Sequence, residues 1–238
     1  MAVTVKRPTT FQQYATLLKK DLTQEFRTKE MLTSMGIYSL LVLVVFGAAL
    51  AQTARAFDIL QMSGGLLWVL IVFTSLLGLN RSFSHEKENG CLEGVLLIPL
   101  DRSVIFLAKA SSNFLFLLAV EVVTAPLFYF FFLTTTTPAD SFWMVALPLL
   151  AGTLGVAGIG TLLSTITINT RGKDVMLAVL FIPLIYPLLY ACVSASAAVI
   201  VGSEGFMDVY FQSLLLAGGY DVIMVLLSWV LYDFVISA

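Results

Sequence analysis

FSHEKENGCLEGVLLIPLDRS, residues 83–103, gathers His85, Glu86, Lys87, Glu88, Glu93, Asp101 and Arg102 between two long apolar runs. Elsewhere charge is scarce. The 238-residue chain is 59% hydrophobic and 12% charged, about half the ~25% of an ordinary soluble domain. Its mean hydropathy is +0.95. That composition puts the chain in the membrane class. A charge cluster in hydrocarbon is costly, so residues 83–103 read as a water-exposed connection and the flanking runs as spans. The net charge of −2, with no basic run longer than two residues, gives no sign of nucleic-acid binding, and no such partner is expected.

A bilayer core of ~30 Å is crossed by about 20 apolar residues in a helix. Six stretches qualify: 35–52, 64–80, 104–133, 142–168, 175–200 and 211–236. Their apolarity is continuous rather than alternating, so they are helices and not strands of a closed barrel. The first begins well down the chain after a polar lead, and is expected to be a true span, not a cleavable signal peptide. Pro126 predicts a kink or an emergent end in the long third run, and Pro183 and Pro187 predict bends in the fifth. Of the 13 Lys and Arg, only Arg55 falls on the opposite side when the N-terminus is placed in the cytoplasm. Both termini are then cytoplasmic.

Two units are expected. In residues 1–33, Phe11, Tyr14, Leu18, Leu22 and Phe26 recur every three or four positions opposite Gln12, Thr16, Lys19, Lys20, Thr23 and Arg27. This is an amphipathic helix suited to the inner headgroup layer, or to packing on a partner. Residues 34–238 form the six-span body. In the fourth run, Gly152, Gly155, Gly158 and Gly160 form a small-residue face that lets helices approach closely.

Catalytic chemistry finds little footing. Ser63-Gly64-Gly65 imitates part of an ATP-cassette signature, and Arg171-Gly172-Lys173-Asp174 imitates a P-loop fragment, but the Gly-x4-Gly-Lys-Ser/Thr loop is missing. His85 is the single histidine and reads as a solvated loop residue; no metal site is expected. Cys91 and Cys192 lie in no CxxC pattern and read as free thiols. Met62, Met144 and Met207 have no histidine to pair with as haem ligands and read as packing. A hydrolase would lack its base. The protein is therefore not an enzyme in its own right, and no catalytic residue is assigned.

Inside the third run, Lys109, Asn113, Glu121 and Thr124 fall near one helical face. A carboxyl at depth must be paired, hydrated or neutralised. The stripe is either a hydrogen-bonded anchor or part of a polar pathway. Asp221, beside Gly218 and Gly219 in the sixth run, poses the same question at shallower depth.

The second half of the opening stretch is too short to span. A helix lying at the cytoplasmic surface satisfies both halves: Glu86, Lys87, Glu88 and Glu93 face water, and Val95, Leu96, Leu97 and Ile98 face lipid or the bundle. Pro99 ends it, and Asp101 caps the next helix. Such an element is a handle for a cytosolic partner, against the plainer reading of a solvated loop.

Glu86-x-Glu88-x-Gly90, Leu92-x-Gly94, Pro99-Leu100-Asp101-Arg102 and Pro183-x3-Pro187, set among six spans behind a basic amphipathic helix, resemble the CcmB family. These are the membrane subunits of the haem-exporter ABC complex of bacterial cytochrome c maturation. The resemblance covers essentially the whole chain; Cys91 departs from it, where a small residue such as Ala is expected. More distantly, the layout resembles ABC-2, or type V, export permeases. The resemblance implies an all-α inner-membrane protein that pairs as a homodimer with the cytosolic ATPase CcmA. It further implies work alongside CcmC, CcmD and the periplasmic haem chaperone CcmE. ATP-Mg would sit on the ATPase, haem would be cargo or handled ligand, and this chain would bind no cofactor of its own. Glu86, Lys87, Glu88, Gly90, Leu92, Glu93, Gly94, Pro99, Asp101 and Arg102 are the implied coupling residues. A permease for lipid, polysaccharide or drug, and a passive scaffold of a haem-handling complex, are the alternatives.

Overall fold

The computed structural model describes residues 9–53, 59–88, 102–133, 140–167 and 172–237. Within them the chain is wholly helical: α1 Thr10–Thr28, α2 Glu30–Thr53, α3 Ile59–Glu88, α4 Arg102–Phe132, α5 Asp140–Thr167, α6 Lys173–Val201 and α7 Phe206–Ser237. The last six are long and apolar enough to cross a membrane, and they overlap the six expected runs.

The helix ends explain the small shifts in boundary. At the start of α1, Thr9 accepts from Gln12 N at 3.4 Å while Thr9 N donates to Gln12 Oε1 at 3.1 Å, a reciprocal capping box. The helix stops at Thr28 because Lys29 is left-handed (φ 54°), with its N–H on Glu25 O at 2.6 Å. Then α2 begins at once, at Glu30. Gly202 and Gly205, also at positive φ, separate α6 from α7, which starts a turn earlier than the apolar pattern suggests. Pro126 does not end its helix: α4 runs on to Phe132.

α5 sits among α3, α4, α6 and α7. Its glycines explain how. A Cβ at Gly152 would overlap the ring of Trp68 on α3, one at Gly160 would overlap Leu79, and one at Gly155 would overlap Asp221 of α7 and Leu188 of α6. The small-residue face is thus a set of sockets for large partners. Trp68 is fully buried there and donates through Nε1 to Ser196 Oγ on α6 at 3.0 Å. Gly64 of α3 meets Ala197 of α6, with its absent Cβ 3.0 Å from the alanine methyl. The Ser-Gly-Gly string is therefore a packing device. From the other string, Gly172 leads into α6, its O accepting from Val175 N and Met176 N at 3.1 Å each.

Candidate functional site

Polar side chains buried in an apolar bundle must find partners on neighbouring helices. Here they form a series that begins under α1. Asp21, 9% exposed, lies 3.0 Å from Lys109 Nζ of α4, itself 12% exposed, and accepts from Ser112 Oγ at 3.2 Å. Lys20 Nζ stands 3.5 Å from its other oxygen. Beside this latch, Tyr14 OH donates to Ser111 Oγ at 3.0 Å, and Leu17 packs on the cluster of Ile105, Phe106, Leu162 and Tyr232.

This docking refines the amphipathic reading of α1. Tyr14, Leu18 and Leu22 are partly covered by the body, whereas Phe11 (76% exposed) and Phe26 (65%) stand clear of it on the edge of the same apolar arc. Lys19, Thr23 and Arg27 lie beyond them, exposed. One helix thus presents a protein face, an apolar edge and a basic face. Asp21 went unrecognised in the sequence because it looks like one more polar residue between Lys20 and Leu22.

Deeper in α4, Asn113 Nδ2 donates to Thr161 Oγ1 of α5 at 2.9 Å. Two turns on, Glu121 lies against Thr153 of α5, whose hydroxyl is 2.7 and 2.6 Å from the two carboxyl oxygens and 2.7 Å from Leu149 O. Thr124 returns its proton to Val120 O at 3.0 Å. A cavity of about 10 Å³ adjoins Glu121, Thr124, Ser75 and Thr74, whose hydroxyl has no hydrogen-bond partner. It has room for one water. The stripe Lys109–Asn113–Glu121–Thr124 therefore faces inward along its length.

Asp221 is placed apart from Glu121. It seats against Gly155, two residues from Thr153 and so nearly opposite it on α5. One carboxyl oxygen of Asp221 is buried without a hydrogen-bond partner. Its neighbour Tyr220 donates to Leu184 O of α6, three residues before Pro187.

The remaining expected residues divide cleanly. Glu86, Lys87 and Glu88 belong to the end of α3, which carries on unbroken through Glu88, rather than to a separate surface helix. A span of 24 residues (Ile59–Ser82) is thus prolonged past its apolar part by the charged residues. Gly90, Leu92, Glu93, Gly94, Pro99 and Asp101 lie outside the described residues, and so does Cys91. Arg102 opens α4 and is exposed. Pro183 and Pro187 lie within α6 on its exposed side. Cys192 is a buried free thiol on the same helix. Arg81 near the end of span two is paired to Glu30 at 2.9 Å, tying α3 to the start of α2.

A six-span helical body, an amphipathic helix docked on it by a buried ion pair, and a charged extension of span two together define a polytopic membrane protein of the permease class. Its sequence matches the CcmB protein family over residues 12–235, and the chain belongs to that family. It is similar to the Heme exporter protein B of Pseudomonas aeruginosa, 28% identical over 176 residues that cover 74% of this chain and 77% of the relative. The Heme exporter protein B of Escherichia coli K12 is 27% identical over 76% of this chain and 80% of its own length. That of Bradyrhizobium diazoefficiens is 31% identical over 61% and 64%.

Proposed function

We propose that this chain is the membrane subunit of a haem-export system serving cytochrome c biogenesis, in the inner membrane of a bacterium. The family match along nearly the whole chain, together with relatives named heme exporters, is the observation that carries this reading. Lys and Arg cluster at the α1 end, which supports a cytoplasmic placement of that end and of both termini.

In this reading two copies pair with two copies of the cytosolic ATPase CcmA, in company with CcmC, CcmD and the chaperone CcmE. ATP and magnesium belong to the ATPase. The pull enters through residues 83–102, with Glu86 and Glu88 as the foremost contacts, and through α1. Glu121, Asn113 and Thr161 act as ties that keep α4 and α5 moving together. Their use as helix-to-helix bonds supports mechanical work on a haem-loaded chaperone rather than conduction of haem along α4.

The test is complementation of a strain lacking its own subunit, read as covalently haem-stained c-type cytochrome on a denaturing gel. Restored staining is expected. A chain that inserts normally and restores none would refute the assignment. In the purified complex, ATP turnover should rise when haem-loaded chaperone is added.

A further inference from the structure

Thr153 is surrounded by more short oxygen contacts than one hydroxyl proton can serve. Its Oγ1 stands 2.7 and 2.6 Å from the two carboxyl oxygens of Glu121 and 2.7 Å from Leu149 O. All three neighbours are acceptors, and a threonine hydroxyl donates one proton. With Glu121 ionised, that proton goes either to Leu149 O or to the carboxylate. In the first case the hydroxyl turns its lone pairs on an anion at hydrogen-bond distance; in the second it turns them on a carbonyl. A second proton removes the conflict. Glu121 then donates to Thr153 Oγ1, and Thr153 donates to Leu149 O. The carboxyl oxygen left over is close only because it shares a carbon with the donor.

The surroundings favour the protonated form. Glu121 is 6% exposed and stands four residues past Leu117, the midpoint of the Arg102–Phe132 span, about 6 Å along the axis. Lys109, twelve residues earlier on α4, is bound to Asp21. Met35 of α2 and Leu70, Ile71, Thr74 and Ser75 of α3 line the adjoining cavity, and none of them titrates. Cys192 of α6 lies within electrostatic range of Glu121, and Asp221 of α7 seats against Gly155, nearly opposite Thr153 on α5. Both are acids, so neither offsets a carboxylate. A charge left unpaired at such depth is costly, and a bound proton removes it.

The cavity has a volume of about 10 Å³. Thr74 lines it, 5% exposed, with no hydrogen-bond partner for its hydroxyl among the described residues. Ser75 donates to Ile71 O at 2.7 Å and Thr124 to Val120 O at 3.0 Å, so both oxygens keep lone pairs with which to accept. One water there would accept from Thr74 and donate to Glu121 and to one of these two hydroxyls, within the two to four partners a buried water needs. We infer that Glu121, Thr153 and this cavity make a proton-binding site inside the bundle: the carboxyl holds a proton that it donates to Thr153, and one water joins its other oxygen to Thr74. The ligand is a proton, not a metal ion, and the site is the same whatever cargo the system handles. It also conditions the tie between α4 and α5, which exists in this form only while the proton is bound. Losing the proton would leave an anion with room for a single water, so proton release accompanies an opening of the contact among α3, α4 and α5.

The test is infrared difference spectroscopy on the full chain in lipid nanodiscs near neutral pH, parent against variant, in sodium and in choline buffers. A protonated carboxyl shows a C=O stretch above the amide bands; a carboxylate does not. The parent should show such a band, lost in Glu121→Gln, shifted in Thr153→Val, retained in Asp221→Asn, and the same in both buffers. Thr74→Val, which removes the anchor of the water, should shift it by a smaller amount. Glu121→Gln keeps a donor and an acceptor in nearly the same shape, so it should insert and melt like the parent. Should it fail to fold, the shift in Thr153→Val still assigns the band. Carboxylate bands that vanish in Glu121→Gln, in place of the C=O band, overturn the proton site. Carboxylate bands in sodium that give way to a C=O band in choline mean a bound sodium ion and overturn it equally. A C=O band that stays fixed in Thr74→Val overturns the water and leaves the proton in place.

Discussion

The Asp21–Lys109 latch predicts a specific pattern of stabilities. Lys109→Met keeps the length and apolar stem of the lysine but strands a buried carboxylate. Breaking one side of a buried ion pair costs about 3–5 kcal/mol when nothing compensates. Here Lys20 remains 3.5 Å away and Ser112 still donates, so the loss should fall below that range, at about 2 kcal/mol. That is roughly a 30-fold shift in the docking equilibrium of α1 on α4. Asp21→Asn removes the opposite charge and should cost a similar amount, leaving Lys109 facing a neutral amide. The double variant should recover most of the loss, because replacing both partners spares the uncompensated charge. The assay is protease or thiol-reagent access to a cysteine introduced at Leu18, which the docked helix partly covers, compared across the four chains. Losses that simply add in the double variant would refute the coupling. So would a Lys109→Met chain whose Leu18→Cys site stays as protected as in the parent.

Gly152→Val should overfill the Trp68 socket and cost about 1–3 kcal/mol, seen as a lower melting temperature in detergent and a red shift in tryptophan emission. Thr153→Val leaves Glu121 without its partner on α5 and should lose about 1–3 kcal/mol, whereas Thr153→Ser should be nearly neutral; equal melting temperatures for the two would argue against the bond. Arg81→Ala removes an exposed pair and should change stability by no more than about 1 kcal/mol. Glu86→Ala/Glu88→Ala should insert normally yet fail to retain the ATPase on co-purification and abolish c-type cytochrome; normal values for both would remove these residues from the coupling role.

Length and apolarity alone gave the six spans, because lipid leaves the backbone no alternative to the helix. The inward direction of the Glu121 stripe was legible for the same reason: a carboxyl at depth can face only protein or water. What periodicity could not supply was the partner. Thr153 and Thr161 look like ordinary small residues in a glycine-rich run, and only the packing of α5 shows that they receive the side chains of α4. Nor could it locate Asp21, since burial of a charge depends on which neighbour arrives. Charge alone assigns the residues after Ser82 to a separate helix at the cytoplasmic surface. Instead the helical hydrogen-bond ladder of α3 runs on through Glu88, as polarity by itself ends no helix.

The single left-handed residue between the first two helices has a mechanical corollary. Lys29 alone separates Thr28 from Glu30, so no slack exists in which α1 could slide. α1 has 19 residues, a rigid outrigger of roughly 28 Å at 1.5 Å per residue. With its root fixed at Lys29 and its middle clamped to α4, any sideways load applied near Phe11 becomes torque on the first and third spans together. A tilt of only about five degrees would sweep the tip through roughly 2.5 Å, converting a small displacement at the tip of α1 into reorientation of the spans it is rooted in and clamped to.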